Sequence, residues 1–206
     1  MRLADDGEIE VRGVNVLKEY WNNPAATADA FSEGGWFRTG DIGSFDSEGF
    51  LTITGRKKEI IVTAGGKNVA PAALEDPIRA NPIIGQVVVV GDQRPFISAL
   101  ITLDPEMLPT WLANAGLPKE MSLVEASKND AVRAEIQRAV DAANARVSRA
   151  ESIRKFTVLD SEWTEASGHL TPKMSIKRNV IMSDFADEIA AIYDEPVTTT
   201  NVALGG

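Results

Sequence analysis

The sequence predicts an α+β fold, a small central sheet flanked by helices and preceded by a β-rich segment. The most strongly apolar runs, Val87–Val90 and Phe96–Leu103, are separated only by the turn-forming Gly91-Asp92-Gln93-Arg94-Pro95, so they read as a hairpin at the middle of a sheet. Downstream, apolar residues recur at helical rather than alternating spacing. Upstream of Gly55 the apolar runs are short and broken by glycine.

Taken in order, Glu8-Ile9-Glu10-Val11-Arg12 alternates as a strand with one wet face, ended by Gly13. Val16–Trp21 is a short apolar stretch that stops before Asn22-Asn23-Pro24, and Ala25–Phe31 reads as a short helix with Thr27 near its start. Trp36-Phe37 leads into Arg38-Thr39-Gly40, which puts Asp41 at the end of a short apolar segment, on a turn that glycine permits. Phe50–Thr54 alternates as a half-buried strand and ends at Gly55-Arg56-Lys57-Lys58. So few strands bury little area on their own. Residues 1–54 therefore read as the β-rich tail of a preceding domain, packed on the rest or exchanged with a second copy, and Met1–Gly7 enters its first strand as if cut from a longer chain.

A compact α+β module is expected over 55–195. Ile60–Val62 is a strand, Gly65-Gly66 a tight turn, and Pro71 opens a helix over Ala72–Ala80 that stops at Asn81-Pro82. After the central hairpin, Asp104-Pro105 caps a helix carrying Met107, Leu108, Trp111 and Leu112, terminated by Gly116. A longer helix over Asp130–Val147 presents Val132, Ile136, Ala139, Val140, Ala143 and Val147 on one face. Phe156–Leu159 is a short strand, Ile176–Tyr193 a last helix, and 196–206 a disordered tail.

Composition narrows the function. With 206 residues the chain can bury a substantial core, and 44% hydrophobic with 25% charged residues is ordinary for a soluble globular protein. A formal charge of -9 argues against nucleic-acid binding, so an anionic ligand must be met by a local basic cluster. The absence of cysteine excludes disulfides, thiol catalysis and thiolate zinc sites, which suits a reducing cytoplasm. No apolar run approaches ~20 residues, and no charged-then-apolar leader opens the chain.

The stretch Gly35–Glu75 carries the chemistry. A fixed carboxylate at Asp41 can accept hydrogen bonds from a vicinal diol such as a ribose; taken alone it is equally a turn residue. Arg56 offers a planar fork of donors or is a solvated surface charge. Gly65-Gly66-Lys67-Asn68 lacks the spacing of a phosphate-binding Walker loop. His169, the only histidine, has no sequence neighbours suggesting a triad and reads as a loop residue, and Trp36, Trp111 and Trp163 read as packing residues.

Several pieces, in order, resemble the late motifs of the AMP-forming (adenylate-forming) ligases, and among these the long-chain fatty acid–CoA ligases. They are Gly7–Gly13, Tyr20-Trp21-Asn22-Asn23-Pro24, Gly35-Trp36-Phe37-Arg38-Thr39-Gly40-Asp41, Gly55-Arg56-Lys57-Lys58-Glu59, Gly65–Pro71 with Glu75, and Leu170-Thr171-Pro172-Lys173-Met174-Ser175-Ile176-Lys177-Arg178. The family's phosphate loop and acid pocket lie upstream of the first of these pieces. The resemblance therefore implies the C-terminal third of such an enzyme, a mobile lid domain inactive alone, with a missing N-terminal adenylation domain as its partner.

It further implies that Asp41 binds the ribose hydroxyls of AMP and Arg56 the adenylate. Lys58 is the hinge about which the lid rotates between adenylation and thioester formation. Gly65, Gly66 and Lys67 line the pantetheine path of coenzyme A, and the basic residues Arg56-Lys57-Lys58 with Lys67 either attract its phosphates or form a solvated hinge surface. A late lysine meets the carboxylate and α-phosphate. Alignment on Lys177-Arg178 puts Met174 or Ser175 at the family position, so Lys173, one residue off, is the first choice and Lys177 the second. ATP, coenzyme A and Mg²⁺ are implied for the intact enzyme, with no metal ligand assigned here, as is peripheral association of that enzyme with membranes. An acyl-AMP ligase that loads a carrier protein, and a stand-alone domain that binds nucleotide or a protein partner, remain open alternatives.

Overall fold

The computed structural model describes residues 1–194, so the tail expected over 196–206 lies outside the described residues. Contacts divide the chain into two units: Met1–Ile60 with Ala70–Ala73, and Ile61–Val69 with the residues from Leu74 onward. The first unit runs a few residues past Thr54 because the last strand of its sheet continues through Arg56.

In the first unit, β1 (Arg2–Leu3) turns at Gly7, which has a positive φ of 82°, into antiparallel β2 (Glu8–Val11). Helix α1 (Pro24–Ala30) begins one residue earlier than the sequence suggested. Asn23 supplies the cap by accepting the Ala26 amide, and Pro24 presets the first turn. Phe31 leaves the helix to start β3 (Phe31–Ser32). Strand β4 (Trp36–Phe45) is the hub, pairing antiparallel with β2, β3 and β5 (Leu51–Arg56) in a five-stranded sheet. The expected wet face of β2 is not wet: Glu8 and Glu10 are as buried as Ile9, because Lys57 and Gly40 engage Glu8 and Arg2 engages Glu10. Asp41 lies inside β4 rather than on a turn at its end. Gly40, at φ 75°, and a bulge between Ile42 and Gly43 distort the strand around it, which is why no alternation marked the segment as a strand.

In the second unit, β6 (Ile61–Val62) and β7 (Asn68–Val69) form a small hairpin, and α2 (Ala72–Arg79) belongs to this unit from Leu74 onward. Strands β8 (Ile84–Val90) and β9 (Ile97–Leu103) are the expected antiparallel hairpin. Helices α3 (Leu108–Asn114), α4 (Leu123–Ala126) and α5 (Asp130–Asn144) intervene before β10 (Ile153–Val158), which adds parallel to β9. Both sheet faces are covered, which explains the continuous apolar runs. One face puts Val87, Val89 and Ile101 against Leu74, Ile78, Leu112 and the predicted stripe of α5. The other puts Val88, Val90 and Leu100 against Trp163, Leu170 and the last helices.

Sequence reading overlooked α4, although Ser122 and Glu125 form a reciprocal capping box, a legible start signal. Helix α5 stops at Asn144, whose side chain leaves the helix to hold both the amide and the carbonyl of Ile153. The single last helix expected over 176–193 is two, α6 (Arg178–Asp184) and α7 (Ala186–Asp194). They break at Phe185, whose ring packs on Trp163 and His169 with centroids 5.8 and 5.4 Å away.

Candidate functional site

In the first unit, the antiparallel register sets Asp41 directly opposite Arg56 across β4 and β5. Their side chains meet, Arg56 Nε to Asp41 Oδ1 at 3.0 Å. The surrounding backbone is held at several points. Thr39 Oγ1 donates to the Ile9 carbonyl at 2.8 Å and accepts the Asp41 amide at 3.1 Å, and the Gly40 amide donates to Glu8 Oε1 at 2.9 Å. Lys57, next after Arg56, bridges Asp6 at 2.6 Å and Glu8 at 2.7 Å. The Asp6 carboxyl is held below its ordinary range chiefly by the Lys57 hydrogen bond, and the Lys57 ammonium is held above its own chiefly by Asp6. Beside these residues opens a cleft of about 800 Å³ lined by Glu8, Tyr20, Arg38, Thr39, Arg56 and Lys58. Lys58 is exposed within a single 3₁₀ turn, Lys57–Glu59. Trp36 is less a packing residue than a platform for cations, with the guanidinium carbons of Arg2 and Arg12 at 4.5 and 4.6 Å from its ring centre.

In the second unit, Gly65, Gly66 and Lys67 are exposed on the turn between β6 and β7. Gly66 takes a φ of 77°, and Thr63 closes the turn by exchanging hydrogen bonds with Lys67. The Lys67 ammonium lies 3.4 Å from Glu151. Of the basic residues expected to draw phosphates, Arg56, Lys57 and Lys67 thus each face a carboxylate, which lowers the local positive field.

The lysine segment is a miniature hairpin. Leu170 bridges Ile176, the Thr171 amide donates to Ser175 O at 2.8 Å, and the Met174 amide donates to Thr171 O at 2.8 Å. Pro172 presets the entry to the turn, Lys173 sits exposed at its tip, and Met174 takes the left-handed conformation, φ 60°, usually left to glycine. Lys177, also exposed, precedes the first turn of α6 and its amide donates to His169 O at 2.8 Å.

Two sets of contacts anchor this hairpin, and sequence reading missed both. Arg178 Nη2 reaches both oxygens of buried Glu75, at 2.8 and 2.9 Å. Arg178 Nη1 donates to the Val89 carbonyl at 3.1 Å, and Glu75 Oε1 accepts the Val89 amide at 2.7 Å. Strand β8 is an edge strand, so this pair satisfies backbone groups that β9 does not reach. Burial pushes the Glu75 carboxyl up, while Arg178 and the Val89 amide pull it back. His169, a loop residue as expected, has partners to which nothing in the sequence points: Ser167 Oγ 2.8 Å from Nδ1 and Asp184 Oδ2 3.1 Å from Nε2. Ser167 is committed to a tight turn with Thr164, so the trio fastens the hairpin to the end of α6.

Residues 58–196 match the AMP-binding enzyme C-terminal domain. The chain belongs to that family. It is 55% identical over 195 residues to the long-chain-fatty-acid–CoA ligase FadD15 of Mycobacterium tuberculosis, covering 95% of this chain and 32% of that protein. It is 36% identical to the long-chain-fatty-acid–CoA ligase ACSBG2 of Gallus gallus, over 94% of this chain and 28% of that protein. The AMP-binding family chain thus spans about a third of the length of the curated relatives it matches. Among solved structures, the adenylation domain of a carboxylate reductase from Mycobacterium chelonae superposes with a TM-score of 0.71 at 24% identity, over 92% of this chain and 28% of that one, which shows the fold. O-succinylbenzoate coenzyme A synthetase from Bacillus subtilis, in complex with AMP, gives 0.55 at 26% identity, over 84% and 29%. Among the described residues no helix is long and apolar enough to cross a membrane, and no group of three or more metal-binding side chains could hold an ion.

Proposed function

We propose that this chain is the mobile C-terminal part, with the tail of the preceding body, of an ATP-dependent long-chain fatty acid–CoA ligase of the cytoplasm. The whole enzyme would convert acid and ATP to acyl-adenylate and pyrophosphate, and then let the thiol of coenzyme A displace AMP. The observation that carries the reading is the cross-strand pair Asp41–Arg56 at 3.0 Å, with Arg56 and Gly40, the neighbour of Asp41, on the wall of an open cleft. An acceptor and a fork of donors, aligned by register, match a ribose diol and its adjoining phosphoester. The relatives named above support the reaction class.

In this reading Asp41 accepts from the ribose hydroxyls and Arg56 donates to the adenylate; without nucleotide the two satisfy each other. Lys58 is the residue whose backbone absorbs rotation of the lid, and its ammonium stays solvated in either pose. The Gly65-Gly66 turn, bare of side chains, lets the pantetheine arm pass close to the backbone, with Lys67 at its mouth. Lys173, at the tip of an anchored hairpin, offsets negative charge that develops as pyrophosphate leaves; Lys177 is the second candidate. Magnesium would be held by the nucleotide phosphates and residues outside this chain, and no step is assigned to it here.

The test is complementation. The chain is mixed with the part of FadD15 that precedes the matched residues, and palmitoyl-CoA is measured with palmitate, ATP and coenzyme A. Product is expected only from the mixture, and Lys173→Ala should lower palmitate-dependent pyrophosphate exchange about 10²–10³-fold. Thioester made by the isolated chain, or none from the mixture, would overturn the reading. An effect confined to Lys177→Ala would move the role to Lys177.

A further inference from the structure

Glu8 is 4% exposed, far from the usual place for a carboxylate, and nothing assigned so far uses it. Its two oxygens do different work: Oε1 accepts the Gly40 amide at 2.9 Å and Oε2 accepts the Lys57 ammonium at 2.7 Å. Gly40 immediately precedes Asp41, and Lys57 immediately follows Arg56. We infer that Glu8 is the positioning residue of the nucleotide site, a buried clip that fixes the spacing of Asp41 and Arg56 for the vicinal diol of a ribonucleotide. The inference rests on the adenylate reading above.

Asp41 and Arg56 cannot set their own geometry. Their side chains are 28% and 63% exposed, and an ion pair that open to water holds two flexible groups only weakly. Precision has to come from the backbone on either side, where a buried carboxylate grips a glycine amide on β4 and an ammonium just past β5. Gly40 matters here because, with its amide held by Glu8, its positive φ of 75° sets the direction in which the chain continues to Asp41. Asp6 holds the second side of the same ammonium at 2.6 Å, so Lys57 stays in place when Glu8 reaches it. A buried carboxylate gives little net stability for its desolvation, whereas its directional bonds specify position.

The test uses the whole chain and two ligands, AMP and 2′,3′-dideoxy-AMP, titrated against backbone amide NMR shifts. The native chain should bind AMP about tenfold more tightly than the dideoxy nucleotide, the increment of hydrogen bonds to a charged acceptor. Asp41→Asn should lose that preference. In Glu8→Gln a single carbonyl oxygen must serve two donors, so one grip is lost, and the preference should fall to about one because AMP loses more affinity than dideoxy-AMP. General loosening of the fold would weaken both ligands alike. Lys57→Met removes the second grip without touching the buried carboxylate and should give the same result, and it decides the matter if Glu8→Gln does not fold. If the native chain prefers AMP and Asp41→Asn abolishes the preference, but both clip variants keep it, the inference is wrong. If the native chain shows no preference, the adenylate reading fails and the clip with it.

Discussion

Arg178→Met should unfold the second unit far more readily than its position near the surface suggests. The substitution keeps the aliphatic stem and removes the cation, leaving the Glu75 carboxylate 6% exposed with only the Val89 amide as a partner and the Val89 carbonyl with none of its Arg178 bonds. Breaking a buried pair on one side typically costs about 3–5 kcal/mol, a third or more of the stability of an ordinary domain. Urea unfolding followed by tryptophan fluorescence and circular dichroism measures it, since Trp163 lies in the cluster packed beside α6. The double variant Glu75→Met/Arg178→Met carries no stranded charge and leaves only the two Val89 backbone groups without their side-chain partners, so it should be less destabilised than the single one by about 1–3 kcal/mol. A second signature follows from linkage. With Arg178 gone only the weaker pull of Arg79 and the Val89 amide opposes burial, so the Glu75 carboxyl rises further above its unfolded value, the folded variant binds more protons than the unfolded chain, and Arg178→Met should gain stability as the pH falls from 7 towards about 5. A loss under about 1 kcal/mol, or singles that add to give the double, would refute the view that the pair acts as one unit.

Other expectations are more local. Gly43→Ala would bring a Cβ to 2.7 Å from the Thr52 carbonyl and 2.8 Å from Ile9 Cδ1, so urea titration should show the first unit weakened by about 1–3 kcal/mol with its β4–β5 register disturbed. Met174→Gly should stabilise the lysine hairpin by about 1 kcal/mol, read as slower amide exchange at Ser175, because glycine accepts the left-handed backbone without strain. The pH dependence of the first unit has two edges. Glu10, held low chiefly by Ser32, and Asp6, held low by Lys57, contribute stability that is present above about pH 4 and lost as the pH falls through their depressed values. Lys57, held high, contributes stability present below about pH 10 and lost as the pH rises through its elevated value, so Lys57→Met should flatten that edge.

The central hairpin and α5 were legible because burial on both faces, or on one helical stripe, imposes its own period on the sequence. Asp41 and Arg56 stood out only through their neighbours in the chain. Their apposition is a matter of register, and register in a strand bent by Gly40 and a bulge leaves no periodic trace. Glu8 was misread for a related reason: Glu8-Ile9-Glu10 alternates perfectly well, and nothing local says that Lys57 or Arg2 will arrive to cover the polar side. The break at Phe185 was hidden because Val180, Ile189 and Ile192 keep helical spacing across it. The partners of His169 lie 2 and 15 residues away, separations that no rule of spacing connects.

Glu8 and Glu75 solve the same mechanical problem in the two units. Each is a buried carboxylate with one hand on a backbone amide, Gly40 or Val89, and the other on a cation, Lys57 or Arg178. In each case the cation is the immediate chain neighbour of a residue assigned to the chemistry: Lys57 follows Arg56, and Arg178 follows Lys177. Apolar residues in place of both partners would recover much of the stability, because desolvation consumes most of what a buried ion pair gains. What apolar packing lacks is direction, since a methyl group fills space without choosing which neighbour it faces, whereas a carboxylate oxygen selects a donor at a given distance and angle. It follows that replacing either pair by well-packed aliphatic residues should cost less stability than breaking it on one side, while nucleotide preference at Asp41 and the presentation of Lys173 deteriorate. Stability and activity moving together in such variants would mean that the two glutamates serve folding alone.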